Sequence, residues 1–246
     1  MGDVLKLIIP FYSMPKNYDE VLRRLASLAF YEIYLITLIL RGNPHFDAFI
    51  KALESWGPVG KIVDLIPHHD VLDPAGFVIA VAMASLSYIF QLHDQISNVI
   101  GIRRRFDRDR ILVPLAKRVG VLMTNDKKAK IANCRERLMR AVFYKYASSR
   151  SDKPLVDKHD IEQALSAWSW FWAFVEAVFY FAIGAVIAWW LGSSNLAQVF
   201  AGISIVSLVI AWAQYLRLGR YARPQVDSIS ADETAATYVK QQFDAL

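Results

Sequence analysis

The sequence predicts an all-α integral membrane protein with about four transmembrane helices and a basic, helical cytoplasmic loop. Three observations lead there. Residues 167–191 and 196–216 are two long apolar stretches parted only by the turn Gly192-Ser193-Ser194-Asn195. Each has about 20 residues or more, enough at about 1.5 Å per residue to cross a hydrocarbon layer of about 30 Å. Tryptophans gather at both ends of the first stretch, Trp168, Trp170 and Trp172 at one and Trp189 and Trp190 at the other. From Trp170 to Trp189 is roughly 28 Å of helix, the separation of two interfacial aromatic belts. Charge is the third observation: residues 98–165 hold 17 Lys and Arg against 8 Asp and Glu, whereas the Gly192 turn holds neither sign.

Composition agrees. A chain of 246 residues that is 55% hydrophobic, with seven Trp and a mean hydropathy of +0.27, is too apolar for an ordinary soluble fold and too charged to lie wholly in lipid. The one cysteine, Cys134, excludes an intrachain disulfide and a cysteine cluster for metal. The first ten residues carry Asp3 and Lys6 around a short apolar run, without the basic start and cleavage site of a signal peptide, so insertion is expected to rely on the spans themselves.

Taken in order, residues 1–24 form a cytoplasmic segment and residues 25–41 the first candidate span. That span contains Glu32 and is bracketed by Arg23-Arg24 and Arg41, whose stems can snorkel to lengthen it. A competing reading makes residues 19–29 a soluble helix and residues 31–40 a strand rich in Ile, Leu and Tyr. Residues 42–74 are an outer loop whose apolar positions Phe46, Phe49, Ile50, Leu53 and Trp56 recur at helical spacing, an amphipathic surface pattern. The second span and its polar end occupy 75–97, its apolar run extending from Ala75 to about Leu92 after the turn signal at Asp73-Pro74. In the basic region 98–165, Thr124 is a helix start, and a further helix beginning near Asp157 or Asp160 runs into the third span, 166–191. The fourth span is 195–217. Residues 218–246 hold a C-terminal helix after Arg223-Pro224, with Ser230 and Glu233 as a capping box. The excess of Lys and Arg in 98–165 places that region and both termini in the cytoplasm and leaves 42–74 and the Gly192 turn outside, as in a bacterial inner membrane.

Glu176 falls near mid-membrane, with Ser204, Ser207 and Gln91 as candidate hydrogen-bond partners and Glu32 as a second intramembrane acid. Buried acids at that depth mark a polar path or fix helix packing. Small residues at Gly76, Ala80 and Ala84, and at Gly184 and Ala188, allow close helix approach within one chain or between subunits of a homo-oligomer. Arg103, Arg104, Arg105, Arg108 and Arg110 form the densest basic run, suited to anionic lipid headgroups or a phosphate-bearing ligand. Asp107 and Asp109 interrupt it, which disfavours nucleic acid. The His-Asp pairs at 69–70, 93–94 and 159–160 fall on both sides of the expected membrane, so they do not converge on one metal. No phosphate-binding glycine loop, nucleophile elbow or zinc-protease pair is present, and no catalytic residue, cofactor or metal is assigned.

The expected function is an oligomeric inner-membrane protein whose cytoplasmic helices sense a ligand or soluble partner and whose spans act as a channel, permeabilising effector or signalling subunit. A scaffold recruiting soluble partners is the alternative. A membrane enzyme acting on lipid-linked substrate near His93 and Asp94 is the third reading.

Overall fold

The computed structural model describes residues 14–64, 73–148 and 154–246, and all regular structure among them is helical. The chain divides into two compact units. An apolar unit is drawn from Leu22–Leu92 and Ser169–Trp212, and a basic unit from Met14–Val21, His93–Trp168 and Ala213–Leu246.

The elements are α1 (Tyr18–Leu40), α2 (Pro44–Ser55), α3 (Gly57–Val63), α4 (Pro74–Phe90) and α5 (Leu92–Ile100). Then α6 (Ile102–Phe106) passes through a π-helical stretch (Asp107–Leu112) into α7 (Val113–Arg118). After α8 (Asn125–Asn133), α9 (Arg135–Leu138) runs into a second π-helical stretch (Met139–Phe143). Three helices complete the chain: α10 (Lys158–Trp190), α11 (Ser194–Ala231) and α12 (Glu233–Asp244). At 33 and 38 residues, α10 and α11 are roughly 50 and 57 Å long, well beyond what one crossing needs.

By length and composition α10 and α11 can each cross a membrane. The other two candidate spans meet the same measure only as bent pairs, α1 with α2 at 115° and α4 with α5 at 55°, so the count is two, or up to four. The strand reading of residues 31–40 is wrong: α1 is unbroken to Leu40, because Ile33, Ile36 and Leu40 recur at helical spacing and all face the core. The sharp bend keeps α2 from prolonging α1. Its Ile50 is buried while Phe49 and Trp56 stand exposed, the division of an amphipathic surface helix.

Within the apolar unit α10 is central: 56% of its apolar window is buried against 17% for α11. Ile205, Val206, Leu208, Val209 and Trp212 of α11 are all exposed, as are Ile183, Val186, Trp189 and Trp190 of α10. So large a run of exposed apolar side chains is a surface made for lipid or a partner rather than water. The small residues serve packing inside the chain. Ala80, Ala84 and Ala188 are buried in the same cluster as Ile36 and Phe200, and a β-carbon at Gly184 would stand 3.2 Å from Ile36 Cγ2 and 3.4 Å from Phe200 Cδ2. The stripe therefore offers nothing further toward an oligomer.

The tryptophans at the two ends of α10 differ in exposure. Trp189 and Trp190 are 71% and 81% exposed, but Trp172 is buried in the core and Trp170 stacks on Phe174. Arg24 does not snorkel: its Nη1 donates to Ser169 Oγ at 3.0 Å and its guanidinium lies 5.6 Å from the Trp170 ring centroid, so it is satisfied inside the protein. At the other end of α1, Arg41 gathers three carboxylates. Its Nη1 meets Asp47 Oδ1 at 2.7 Å, and Nη2 meets Glu54 Oε1 at 2.7 Å and Asp73 Oδ1 at 2.9 Å. Asn43 caps α2 through its side-chain oxygen, and its Nδ2 donates to the Leu191 carbonyl at 3.2 Å and Ser193 Oγ at 2.7 Å. The two short connections expected outside are thereby joined to each other.

In the basic unit, Thr124 caps α8 as expected. The C-terminal capping box does not form. Asp232 is the cap, accepting from the Ala235 N–H at 2.7 Å, and Ser230 lies inside α11, which continues through Pro224. A proline removes one helix donor, but Val226 and Ile229 just beyond it are fully buried, and that packing outweighs the lost bond. α12 is held by its own buried Val239 and Phe243, by Lys127–Asp244 at 3.3 Å and by Lys145 over the Tyr238 ring.

The Arg41 cluster yields a test. Arg41→Met leaves Asp47, Glu54 and Asp73 facing one another without a cation and, since solvent partly screens the group, should cost about 1–2 kcal/mol. Arg41→Lys keeps the charge without the fork of donors and should lose about half as much. Denaturant unfolding of the detergent-solubilised protein measures both, and equal stability of all three proteins would remove the cluster from the fold's support.

Candidate functional site

Both π-helical stretches lie in the basic unit, and they share a consequence. At the end of the first, the Val113 N–H reaches back to the Arg108 carbonyl; Pro114, one residue on, has no N–H to continue the ordinary ladder. At the end of the second, the Tyr144 N–H reaches the Met139 carbonyl at 2.8 Å. The extra residue per turn swings Asp107, Ile111 and Phe143 toward a common cavity of about 360 Å³. That volume is at the small end of the range for ligand pockets.

The cavity has an apolar wall and a polar end. Ile161, Ala164, Leu165 and Trp168 of α10 face it, as do Leu218, Ala222 and Gln225 of α11. Phe106 packs its ring 5.2 Å from Trp168 and 6.0 Å from Tyr215. The polar end is built by Tyr18, Arg103, Asp107 and Tyr144. Asp107 is only 5% exposed, and its Oδ2 accepts from Arg135 Nη1 at 2.7 Å. Arg103 Nη1 donates to Asp94 Oδ1 at 3.2 Å. The Tyr18 hydroxyl shares a hydrogen bond of 2.8 Å with Nε2 of the buried His93. Burial pushes the Asp107 carboxyl above the ordinary aspartate range, against the pull of Arg103 and Arg135.

The arginine run is therefore not one patch. Arg103 turns into the cavity and Arg108 pairs with Asp109 at 2.6 Å. The Arg110 stem and guanidinium lie over Gly219, where a β-carbon would sit 3.5 Å from its Cδ. Arg104 and Arg105 stay exposed and suit headgroups. Sequence spacing groups these five because it does not show which way each side chain turns, Arg103 toward Asp94, Arg108 onto its neighbour Asp109 and Arg110 over Gly219.

In the apolar unit, Glu176 is 2% exposed, and the Glu32 Oε2 atom is enclosed without a hydrogen-bond partner among the described residues. The two acids lie close enough to act on each other electrostatically, an association of α1 with α10 that their separation in sequence hid. Ser204 is not reserved for Glu176, since its hydroxyl donates to the Val178 carbonyl at 2.9 Å. Ser207 is buried. Gln91 is exposed at a left-handed kink, φ 47°, and marks the break between α4 and α5 rather than a mid-membrane contact. No group of three or more His, Cys, Asp or Glu among the described residues can hold a metal. His68, His69 and Asp70 lie outside the described residues, while Asp73 is bound to Arg41.

Asp107 makes a pH test. A carboxyl held above its unfolded value of about 3.9 binds its proton more tightly in the native state, so its contribution to stability falls as pH rises from about 4 through the folded value, then stays constant. Asp107→Asn removes that slope. Unfolding at pH 4, 5.5 and 7 should show the stability of the variant relative to the parent improving with pH; the opposite trend would mean that the pairing with Arg135 outweighs burial.

Compared with known proteins, residues 17–245 match the YmfE protein family. No curated protein sequence and no solved structure matches the chain. With nearly its whole length covered, the chain belongs to the YmfE protein family.

Proposed function

We propose that the chain is an integral membrane sensor, in which a small ligand binds the cavity of a cytoplasmic basic unit and the spans convert its occupancy into a change in the membrane, as a channel, permeabilising effector or signalling subunit. One observation carries this reading: the two helices able to cross a membrane unaided, α10 and α11, are also the two that supply most of the cavity's apolar wall. A ligand that shifts Trp168 or Ala222 shifts a helix that is also a span. The enclosed acids Glu32 of α1 and Glu176 of α10 give the helices a polar interior, and acids at membrane depth are retained at a cost and by default serve a path or a switch. The excess of Lys and Arg in 98–165 supports the cytoplasmic placement. Self-association through the exposed face of α11 belongs to the same proposal, that face being left open by packing within the chain.

A scaffold would use the spans as anchors and leave them indifferent to the cavity. The two differ in one experiment. Ser207→Cys, in a Cys134→Ser background, reports from a buried position about four turns along α11 from Ala222. Plugging the cavity with Ala222→Trp, or more gently Ala164→Leu, should change the rate at which this introduced thiol reacts with a small thiol reagent at least threefold. An unchanged rate in both folded variants contradicts the sensor. Ion flux from liposomes then separates the channel from the signalling subunit, and in the channel Glu176→Gln alters flux while preserving assembly.

A further inference from the structure

The charges around the cavity bear on what it takes. Among the described residues its lining holds one cation, Arg103, and one anion, Asp107. Behind each stands a group of opposite sign, Asp94 on Arg103 at 3.2 Å and Arg135 on Asp107 at 2.7 Å. These four formal charges cancel, and Glu136, which meets Arg135 Nη2 at 2.8 Å on the far side, is 74% exposed and screened by solvent. An entering anion that paired with Arg103 would displace or confront Asp94 and Asp107, and an entering cation would confront Arg103 and Arg135. Either would set an uncompensated charge beside the nearly buried Asp107, where an unpaired charge costs more than in open solvent. The remaining wall is Ile111, Leu165, Leu218 and Ala222 with the rings of Phe106 and Trp168, which reward a flat apolar body. The tyrosine hydroxyls at the polar end and the Gln225 amide on the wall supply hydrogen-bonding groups without net charge.

We infer that the cavity binds an uncharged, ring-bearing small molecule that carries a hydroxyl, its ring against Phe106 and Trp168 and its hydroxyl at the Tyr18–Arg103–Asp107–Tyr144 end. This rests on the reading of the cavity as a ligand site and adds the chemical class of the ligand. Charge balance is the selective element, since the apolar wall alone would admit an aromatic acid or amine equally well.

Three probes share one ring and differ in charge: 2-naphthol, 2-naphthoate and 2-naphthylmethylammonium. Binding to the full chain in nanodiscs is followed by saturation-transfer NMR at neutral pH, with empty nanodiscs subtracted. Naphthol should bind at least tenfold more tightly than either ion, and Ala222→Trp should abolish the difference. Asp107→Asn leaves the lining positive and should raise naphthoate affinity tenfold or more; Arg103→Gln should do the same for the ammonium, so the two opposite swaps guard against one variant failing to fold. Preference for naphthoate in the parent protein would overturn the inference in favour of an anion site. Equal binding of all three, unchanged by Ala222→Trp, would show partition into the bilayer only and overturn it as well. Failure of the sensor reading shows differently: naphthol binds as stated, but the thiol introduced by Ser207→Cys reacts at the same rate with and without it.

Discussion

The structure depends on the length of two helices. α10 and α11 have 33 and 38 residues, while a hydrocarbon layer takes about 20, so each is long enough to hold both an apolar part and a water-compatible part. The sequence of each obeys this division. α11 is largely exposed and apolar from Val199 to Leu216, then carries Arg217, Arg220 and Arg223 before burying Val226 and Ile229 in the basic unit. α10 begins with Lys158, His159 and Asp160 and ends in exposed Trp189 and Trp190. Other features are fitted around these rods. Gly184 admits Ile36 and Phe200, Asn43 ties the Gly192 turn to α2, and the two π-helical stretches shape the cavity that the rods wall on one side.

Polar groups are treated differently in the two units. In the apolar unit Arg24 is satisfied by Ser169 and Trp170, Tyr180 donates to Ser87 at 2.9 Å and Ser204 to Val178, each bond replacing water that a lipid environment would not supply. Glu32 departs from that pattern, with one carboxyl oxygen enclosed and unpartnered among the described residues and Glu176 within electrostatic reach. The basic unit instead places its charges in balanced pairs, Arg103 with Asp94 and Arg135 with Asp107, at the edge of an apolar cavity. A site so balanced is polar without being charged, which is selective in a way that the surrounding excess of lysine and arginine conceals.

What the sequence discloses is local. Proline at the first position of α4, threonine before α8, the four-residue turn at Gly192 and the helical recurrence of apolar residues all act within a few residues, and the structure places helix ends there. The features that make a site act across the chain. Asp107 meets Arg135, Tyr18 meets His93, and Glu32 comes near Glu176, and no periodicity links such positions. The same blindness makes the five arginines of 103–110 look like one patch, though Arg110 lies over Gly219 of α11, and Trp172 look like part of an interfacial belt, though it is buried. Pro224 and Ser230 mislead for a related reason: both are genuine local stop signals, overridden by Val226 and Ile229 packing on the far side.

The function proposed above has the chain crossing the membrane four times with the basic unit inside. Single cysteines at the exposed positions Ser55 and Lys128 and at the half-exposed Ser193, in a Cys134→Ser background, answer it when intact cells are treated with a membrane-impermeant maleimide. The account predicts labelling at 55 and 193 in intact cells and at 128 only after the membrane is opened. Labelling of 128 from outside, or of 55 and 193 from opposite sides, would contradict it.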